Sequence, residues 1–204
     1  MAITNGYCTL SDIKAALRIT DSVDDALLEL SVEGASRQID GVCDRIFYNA
    51  GSASRVFIPT DPYLVEIDDL ATVTSIKTSS AADGNFDVTW ETTDYELHPL
   101  NGKVGGGYSP FTDIKAIGNY LWPIWTVTST NSNEATVQIT GTWGWTSVPV
   151  AIKQATILLA MRQFKRYDSP LGVAGFGDLG AIRVGKIDPD VDALIMPFKK
   201  VSAA

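Results

Sequence analysis

Residues 22–46, SVDDALLELSVEGASRQIDGVCDRI, carry the pattern on which the fold turns. Apolar side chains fall at Leu28, Val32, Ala35, Ile39, Val42 and Ile46. The intervals alternate four and three, which is one face of an α-helix sustained over about five turns. Ser22 or Asp24 stands where an N-cap is needed, and the helix is expected to run to about Arg45. Gly34 and Gly41 weaken it by about 1 kcal/mol each relative to alanine. Just upstream, Thr9 followed by Asp12 has the form of an N-cap with an acid at N3, opening a short helix from Ser11 to Arg18. Ile13 and Leu17 share its apolar face, and Thr20, Asp21 and Ser22 break it.

Downstream the pattern changes. From about 54 to 146 helix formers are scarce, and Thr, Val, Ile and aromatic residues dominate, as in strands. Val56-Phe57-Ile58 ends at Pro59. Leu64, Val65 and Ile67 form one run and Val73 and Ile76 another, with Asp68-Asp69 read as loop acids between them. Asp83-Gly84 marks a hairpin between Ser75–Ser79 and Phe86–Trp90. Tyr95-Glu96-Leu97 is expected to pair next. Asn101 to Ser109 reads as an exposed loop. Tyr120 to Thr128 and Ala135 to Trp145 read as the last strands, joined by a polar turn at Ser129 to Asn133.

Helix then returns. Pro149 stands at an N1-like position, and Ala151 to Tyr167 is apolar on nearly all sides between Ala155 and Met161, as in a buried central helix. Arg162, Lys165 and Arg166 crowd its last turn, where cations oppose the helix dipole. Asp168-Ser169-Pro170 ends it. A glycine-rich loop leads into a strand, and Asp188-Pro189-Asp190 opens a last short helix ending near Pro197. The fold class is therefore α+β. A helical core, made of 1–53 and 147–204, carries an inserted antiparallel β subdomain at 54–146.

The composition narrows the function. The chain has 204 residues, 45% hydrophobic and 20% charged, enough to bury a core. Its net charge of -8 argues against a surface that grips phosphate over most of its area. Residues 1–150 hold 8 bases and 19 acids, whereas 151–204 hold 8 bases and 5 acids. No stretch approaches the roughly 20 apolar residues of a membrane span. The opening MAITNGYCTL lacks the features of a signal peptide, so an intracellular, soluble protein is expected. Two cysteines build no disulfide framework, and Cys8 and Cys43 are expected to pack as small apolar groups. One histidine, His98, leaves little scope for zinc or a catalytic pair and reads as a surface or turn residue. No enzyme, cofactor or metal is expected.

Two apparent motifs fail on context, and a third has two readings. Gly175, Gly177 and Gly180 spell G-x-G-x-x-G, but a helix precedes and a strand follows, the reverse of a dinucleotide site. Asp188, Asp190 and Asp192 alternate like a calcium loop, yet Ala193 and Lys199 stand where Gly and Glu belong. They read as acids at a helix N-terminus. Trp143 and Trp145, with Trp122 and Trp125 nearby, read as core or interface residues, with sugar stacking as the alternative.

The opening CTLSDIKAALRITDSVDDALLELSVEGASRQID, residues 8–40, resembles the head–tail connector, or adaptor, proteins of long-tailed double-stranded-DNA phages. The resemblance rests on Ile13, Lys14, Leu17, Arg18, Ile19, Asp24, Asp25, Leu27 and Leu28. The closing VPVAIKQATILLAMRQFKRYDSPLGVAGFGDLGAIRV, residues 148–184, followed by Asp188 to Val191, is similar to connectors from phages of actinobacterial hosts. The β segment is the departure, since compact connectors join the helices with less.

The resemblance implies a structural virion protein of the neck, assembled in the host cytoplasm. It would form a ring, commonly of twelve copies, beneath the portal protein, join the next neck or tail component and leave a channel for DNA. No membrane is involved. An acidic lumen would let the phosphate backbone slide. The expected portal-docking residues are Leu194, Ile195, Met196, Phe198, Lys199 and Lys200. Gly172, Gly175, Phe176, Gly177 and Gly180 form an expected assembly loop. Leu28, Val32, Ile39, Arg162, Lys165 and Arg166 are expected in helix packing and contacts between subunits. The alternatives are a stopper or tail-completion protein, and a sugar- or surface-binding module using the tryptophans.

Overall fold

A computed structural model describes residues 3–101, 103–104, 107–127, 132–167 and 188–200. The fold is α+β, and the chain divides into two compact units, one of Met1–Phe47 with Val148–Ala204 and one of Tyr48–Ser147.

The first unit is helical. In α1 (Leu10–Leu17) the capping box forms as its sequence predicts: Thr9 Oγ1 accepts from Asp12 N, and Asp12 Oδ2 accepts from Thr9 N at 2.9 Å. Arg18, at φ 60°, closes it. Helix α2 (Asp25–Cys43) buries Leu28, Val32, Ala35 and Ile39 as the period requires. Its last turn differs from expectation. Val42 is exposed and Cys43 is buried, because the chain's tail covers the Cys43 side: Lys200 N donates to Cys43 O. Asp44 turns left-handed at φ 52°, so Ile46 falls outside the helix and Phe47 goes inward.

Helix α3 (Val150–Tyr167) buries Ile152, Ala155, Thr156, Leu159 and Ala160, and none of residues 155–164 is exposed. It lies against α2, where Gln163 donates to Gln38 at 3.1 Å and covers Gly34. Helix α4 (Pro189–Ile195) is capped by Asp188 and runs into a 3-10 turn, Met196–Phe198. An aromatic column closes the unit. Phe47 meets Tyr7 and Phe198 edge-on, each with centroids 5.7 Å apart. The Tyr7 hydroxyl donates to the Asp40 carboxylate and accepts from Phe47 N, so one phenol fastens α2 to the chain that leaves it.

The second unit is antiparallel throughout. Its strands are β1 (Asn49–Phe57), β2 (Leu64–Thr78), β3 (Val88–Trp90), β4 (Tyr95–His98), β5 (Lys103–Val104), β6 (Gly107–Tyr108), β7 (Phe111–Ala116), β8 (Thr126–Val127), β9 (Ser132–Asn133) and β10 (Val137–Gly144). The main sheet runs β1-β10-β2-β7-β4, with β3 also on β2. The pairs β5-β6 and β8-β9 form two small separate ladders.

One sheet face carries the core: Val65, Ile67, Ile76, Ile114, Val137, Ile139 and Trp143. Trp122 covers it, stacked on Trp90 with centroids 4.1 Å apart and planes within 3°. Each buried indole finds an acceptor, as buried polar groups must. Trp90 donates to Thr78, Trp122 to the Ile114 carbonyl, Trp143 to the Ala53 carbonyl and Trp145 to Asp69. The first and last strands of the unit meet at a tight crossing. Gly144, at φ 87°, lies so close to the Tyr48 carbonyl that a Cβ would collide with it.

Several strand expectations need correction. Tyr120 to Trp125 is not strand; Trp122 N bonds to Pro62 O, and the segment folds over the core as a plug. Only Thr126–Val127 of that stretch pairs, and it pairs with Ser132–Asn133, part of the expected turn. The segment read as a loop at Asn101 to Ser109 holds the β5-β6 ladder. Asp68 and Asp69 do not interrupt β2, which runs straight through them, with a register shift against β7 between Glu66 and Leu70. Strand β7 had no counterpart in the sequence reading. The hairpin at Asp83-Gly84 forms as predicted, with Gly84 at φ 81° and Thr78 opposite Val88.

Candidate functional site

The C-terminal tail divides the residues expected at the portal. Ile195 and Phe198 are 2% and 1% exposed and belong to the core of their own unit, so they are committed to folding. Leu194 is half-buried. Lys199 reaches back to Asp192 at 2.7 Å. Met196, 65% exposed, and Lys200 face outward.

The cationic end of α3 divides similarly. Arg162 lies 3.5 Å from Asp188. Lys165 and Arg166 are exposed. Gln38, Leu159, Arg162, Gln163 and Arg166 line a shallow groove of about 50 Å³ between α2 and α3, too small for an organic cofactor. Of the helix-packing residues, Leu28, Val32 and Ile39 are wholly buried within their own unit. The apolar residues that α2 does expose are Leu27 and Leu30, with Val23 just ahead of its cap. Their spacing of four and three was visible in the sequence as a second stripe beside the buried one. The expected assembly loop, Gly172, Gly175, Phe176, Gly177 and Gly180, lies outside the described residues, as does the G-x-G-x-x-G run.

The electrostatics follow the units more closely than the sequence halves. The helical unit holds 12 bases and 13 acids, and the β unit 4 bases and 11 acids. In the basic C-terminal quarter three cations are paired within their own unit, Lys153 with Asp12 at 2.9 Å, Arg162 with Asp188 and Lys199 with Asp192. The Lys153 bond and then the Thr9 amide hold the Asp12 carboxyl down at about 2. Burial pushes the Asp40 carboxyl up, and burial followed by the Asp40 bond pushes the Tyr7 phenol up. Both cysteines are buried free thiols, pushed up to about 11 chiefly by desolvation, which keeps them protonated and unreactive.

Several polar residues singled out by the sequence have structural partners. His98 ends β4 with its Nε2 3.0 Å from Glu96. Asp188 accepts from Asp190 N at the start of α4, as a helix cap. Asp68 pairs with Arg55 at 2.6 Å. Among the described residues no three His, Cys, Asp or Glu are placed to hold a metal ion, and no helix is long and apolar enough to cross a membrane. Trp143, Trp145 and Trp122 are 1%, 2% and 1% exposed, so they offer no platform for a sugar ring; Trp125, at 48%, is the exposed one. It lies in a patch with Tyr120, Leu121 and Ile124, close in the fold to Tyr63 and Leu64. Sequence reading missed this patch, because its aromatics looked like strand residues.

Among the described residues the organised chemistry lies in packing and exposed surfaces. Residues 7–77 match the family model for phage gp6-like head-tail connector proteins. That match bears out the opening part of the resemblance, residues 8–40, and runs on from α2 through β1 into β2. No curated protein matches the chain. Among solved structures, a chain in the neck of an empty gene transfer agent particle, computed with C6 symmetry, matches with TM-score 0.58 at 19% identity. A chain in the virion of a native gene transfer agent particle matches with TM-score 0.53 at 21% identity. Each match covers 100% of this chain and 95% of the other, so the fold likeness includes the β unit.

Proposed function

We propose that this chain is a subunit of the head–tail connector in the neck of a phage-like particle, with a structural role and no catalytic one. The observation that carries the reading is the coincidence of two matches: a connector-family N-terminal segment, and a fold shared over its full length with a neck chain. Twelve copies form a ring below the portal, and the C6 symmetry of the related neck suits such a ring. The acidic β unit and an acidic channel wall leave DNA free to slide. The portal contact falls to what the tail and α3 leave exposed: Leu194, Met196, Lys200, Lys165 and Arg166. The segment from Gly172 to Gly180 takes part in the assembly contacts. The next neck or tail component binds the opposite side of the ring.

Negative-stain imaging of the chain mixed with the portal ring of the same particle tests this, with each component alone as a control. A new layer capping one end of the portal is expected, and its symmetry gives the copy number. If no layer forms well above micromolar concentration, the chain belongs to a lower neck component.

A further inference from the structure

Strand β1 is the free edge of the main sheet, pairing only with β10. Residues Asn49 to Ser54 are all exposed, and Val56 and Ile58 stand 53% and 49% exposed at its far end. A free edge presents a row of unpaired amides and carbonyls, and soluble proteins ordinarily guard it with charge, proline or a bulge. Here the irregularity lies at the start, between Asn49 and Gly51, and the proline comes after the strand, at Pro59. The one charge is Arg55. It is drawn across the sheet, 2.6 Å from Asp68 and 4.5 Å from the Trp143 ring centroid, and does not project along the edge. From Ser52 to Phe57 the edge has no proline, no bulge and no outward charge, while the Ala53 carbonyl accepts from the Trp143 indole.

We propose that the free edge of β1 is a docking strand for a second copy of this chain, which it engages through that copy's opposite sheet edge, β4. Strand direction supports the pairing. The path β1-β10-β2-β7-β4 is antiparallel at every step, so its two end strands run the same way. Copies related by rotation about one axis therefore bring β4 alongside β1 as a parallel pair. The contact joins two different patches and repeats around a ring. Side-chain parity agrees. Ser52, Ser54 and Val56 lie on the sheet face away from the core, as do Glu96 and His98 on β4, so a joined sheet keeps one face apolar. Charge does not oppose the pairing. In a unit of 4 bases and 11 acids, two copies repel at most approaches. The stretch Asn49 to Thr60 holds no acid, so the edge of β1 meets Glu96 of β4, and the exposed Glu91 just before it, without repulsion. The choice of a second copy as occupant rests on the ring reading above.

The test is cross-linking of the full chain at millimolar concentration with a short bifunctional thiol reagent. Cys8 and Cys43 are buried and leave the background silent. Ser54→Cys and Glu96→Cys fall at exposed or half-buried positions, and circular dichroism confirms that each variant folds. Ser54→Cys/Glu96→Cys together should give a ladder of dimer, trimer and higher bands. Each single variant alone should stay monomeric on a denaturing gel, and the two singles mixed should stop at dimer. Dimers from Ser54→Cys alone would mean that β1 meets its own copy and would overturn the proposal. Oligomers seen by light scattering without any cross-link would overturn it while leaving the ring reading intact. A chain that neither oligomerises nor cross-links, but still caps the portal, would also overturn it. Failure of the portal experiment as well would bring down both.

Discussion

In the helical unit the deepest residues are Leu28, Val32, Ile39 and Ile152, stacked at helical period and finished by the Tyr7–Phe47–Phe198 column. In the β unit they are indoles and isoleucines on one sheet face, each buried indole tied by a hydrogen bond. The helical unit balances 12 bases against 13 acids, and the β unit leaves 4 against 11. One unit thus settles its charge internally, through pairs such as Lys153–Asp12. The other carries its excess outward. The difference gives two ways of holding a fold together within one chain, and it comes with a built-in readout. All five tryptophans lie between Trp90 and Trp145, so fluorescence reports the β unit, while far-ultraviolet dichroism is dominated by the helices.

The strongest attack on the comparison is Trp122→Ala. It removes the plug stacked on Trp90 and leaves a cavity, at a cost of about 3–5 kcal/mol. Tryptophan fluorescence should melt earlier while the helical signal holds; coincident loss of both would mean that the two units unfold as one. Ile39→Ala is the mirror experiment, costing about 2–5 kcal/mol in the helical unit. Dichroism should move first, and an earlier fluorescence transition would contradict the division. Tyr7→Phe strips the hydroxyl from Asp40 and from Phe47 N and should cost about 1–3 kcal/mol in chemical denaturation followed by dichroism.

The smallest effects sharpen the electrostatic side. Thr9→Ala removes half the capping box and should cost about 1 kcal/mol, read as a lower denaturation midpoint of the helical signal. Asp12 titrates at about 2 in the fold against an ordinary value of 3.8. Its contribution is therefore complete above 3.8 and drains away as pH falls from there toward 2. Asp40, pushed the other way by burial, opposes that slope. Asp12→Asn should flatten the acid dependence of the helical transition and leave that of the tryptophan transition unchanged, a difference that paired acid titrations would reveal.

The helical half was legible because its signals are local. A period kept from Leu28 to Ile39, a Thr-Asp capping box and a proline-aspartate start each predict structure within a few residues, and all of them formed. The β half was legible only where a turn announced itself, at Asp83-Gly84. Strand β7, FTDIKA, went unseen because its core-facing residues, Ile114 and Ala116, alternate with charges that look like loop. Tyr120 to Trp125 misled in the opposite way: strand-loving aromatics served as a lid, which is a tertiary choice. The surface was least legible. Nothing local distinguishes Ile195 and Phe198, which are buried, from Met196 between them, which is not.

The β unit begins and ends side by side. Asn49 lies opposite Gly144, and Trp145 N bonds to Tyr48 O, so the strand leaving for the sheet and the strand returning from it are neighbours. A segment whose two ends meet can be lost, gained or exchanged without stretching the chain on either side. Exchange of this unit whole would then alter one surface of the molecule while the helices keep their sequence.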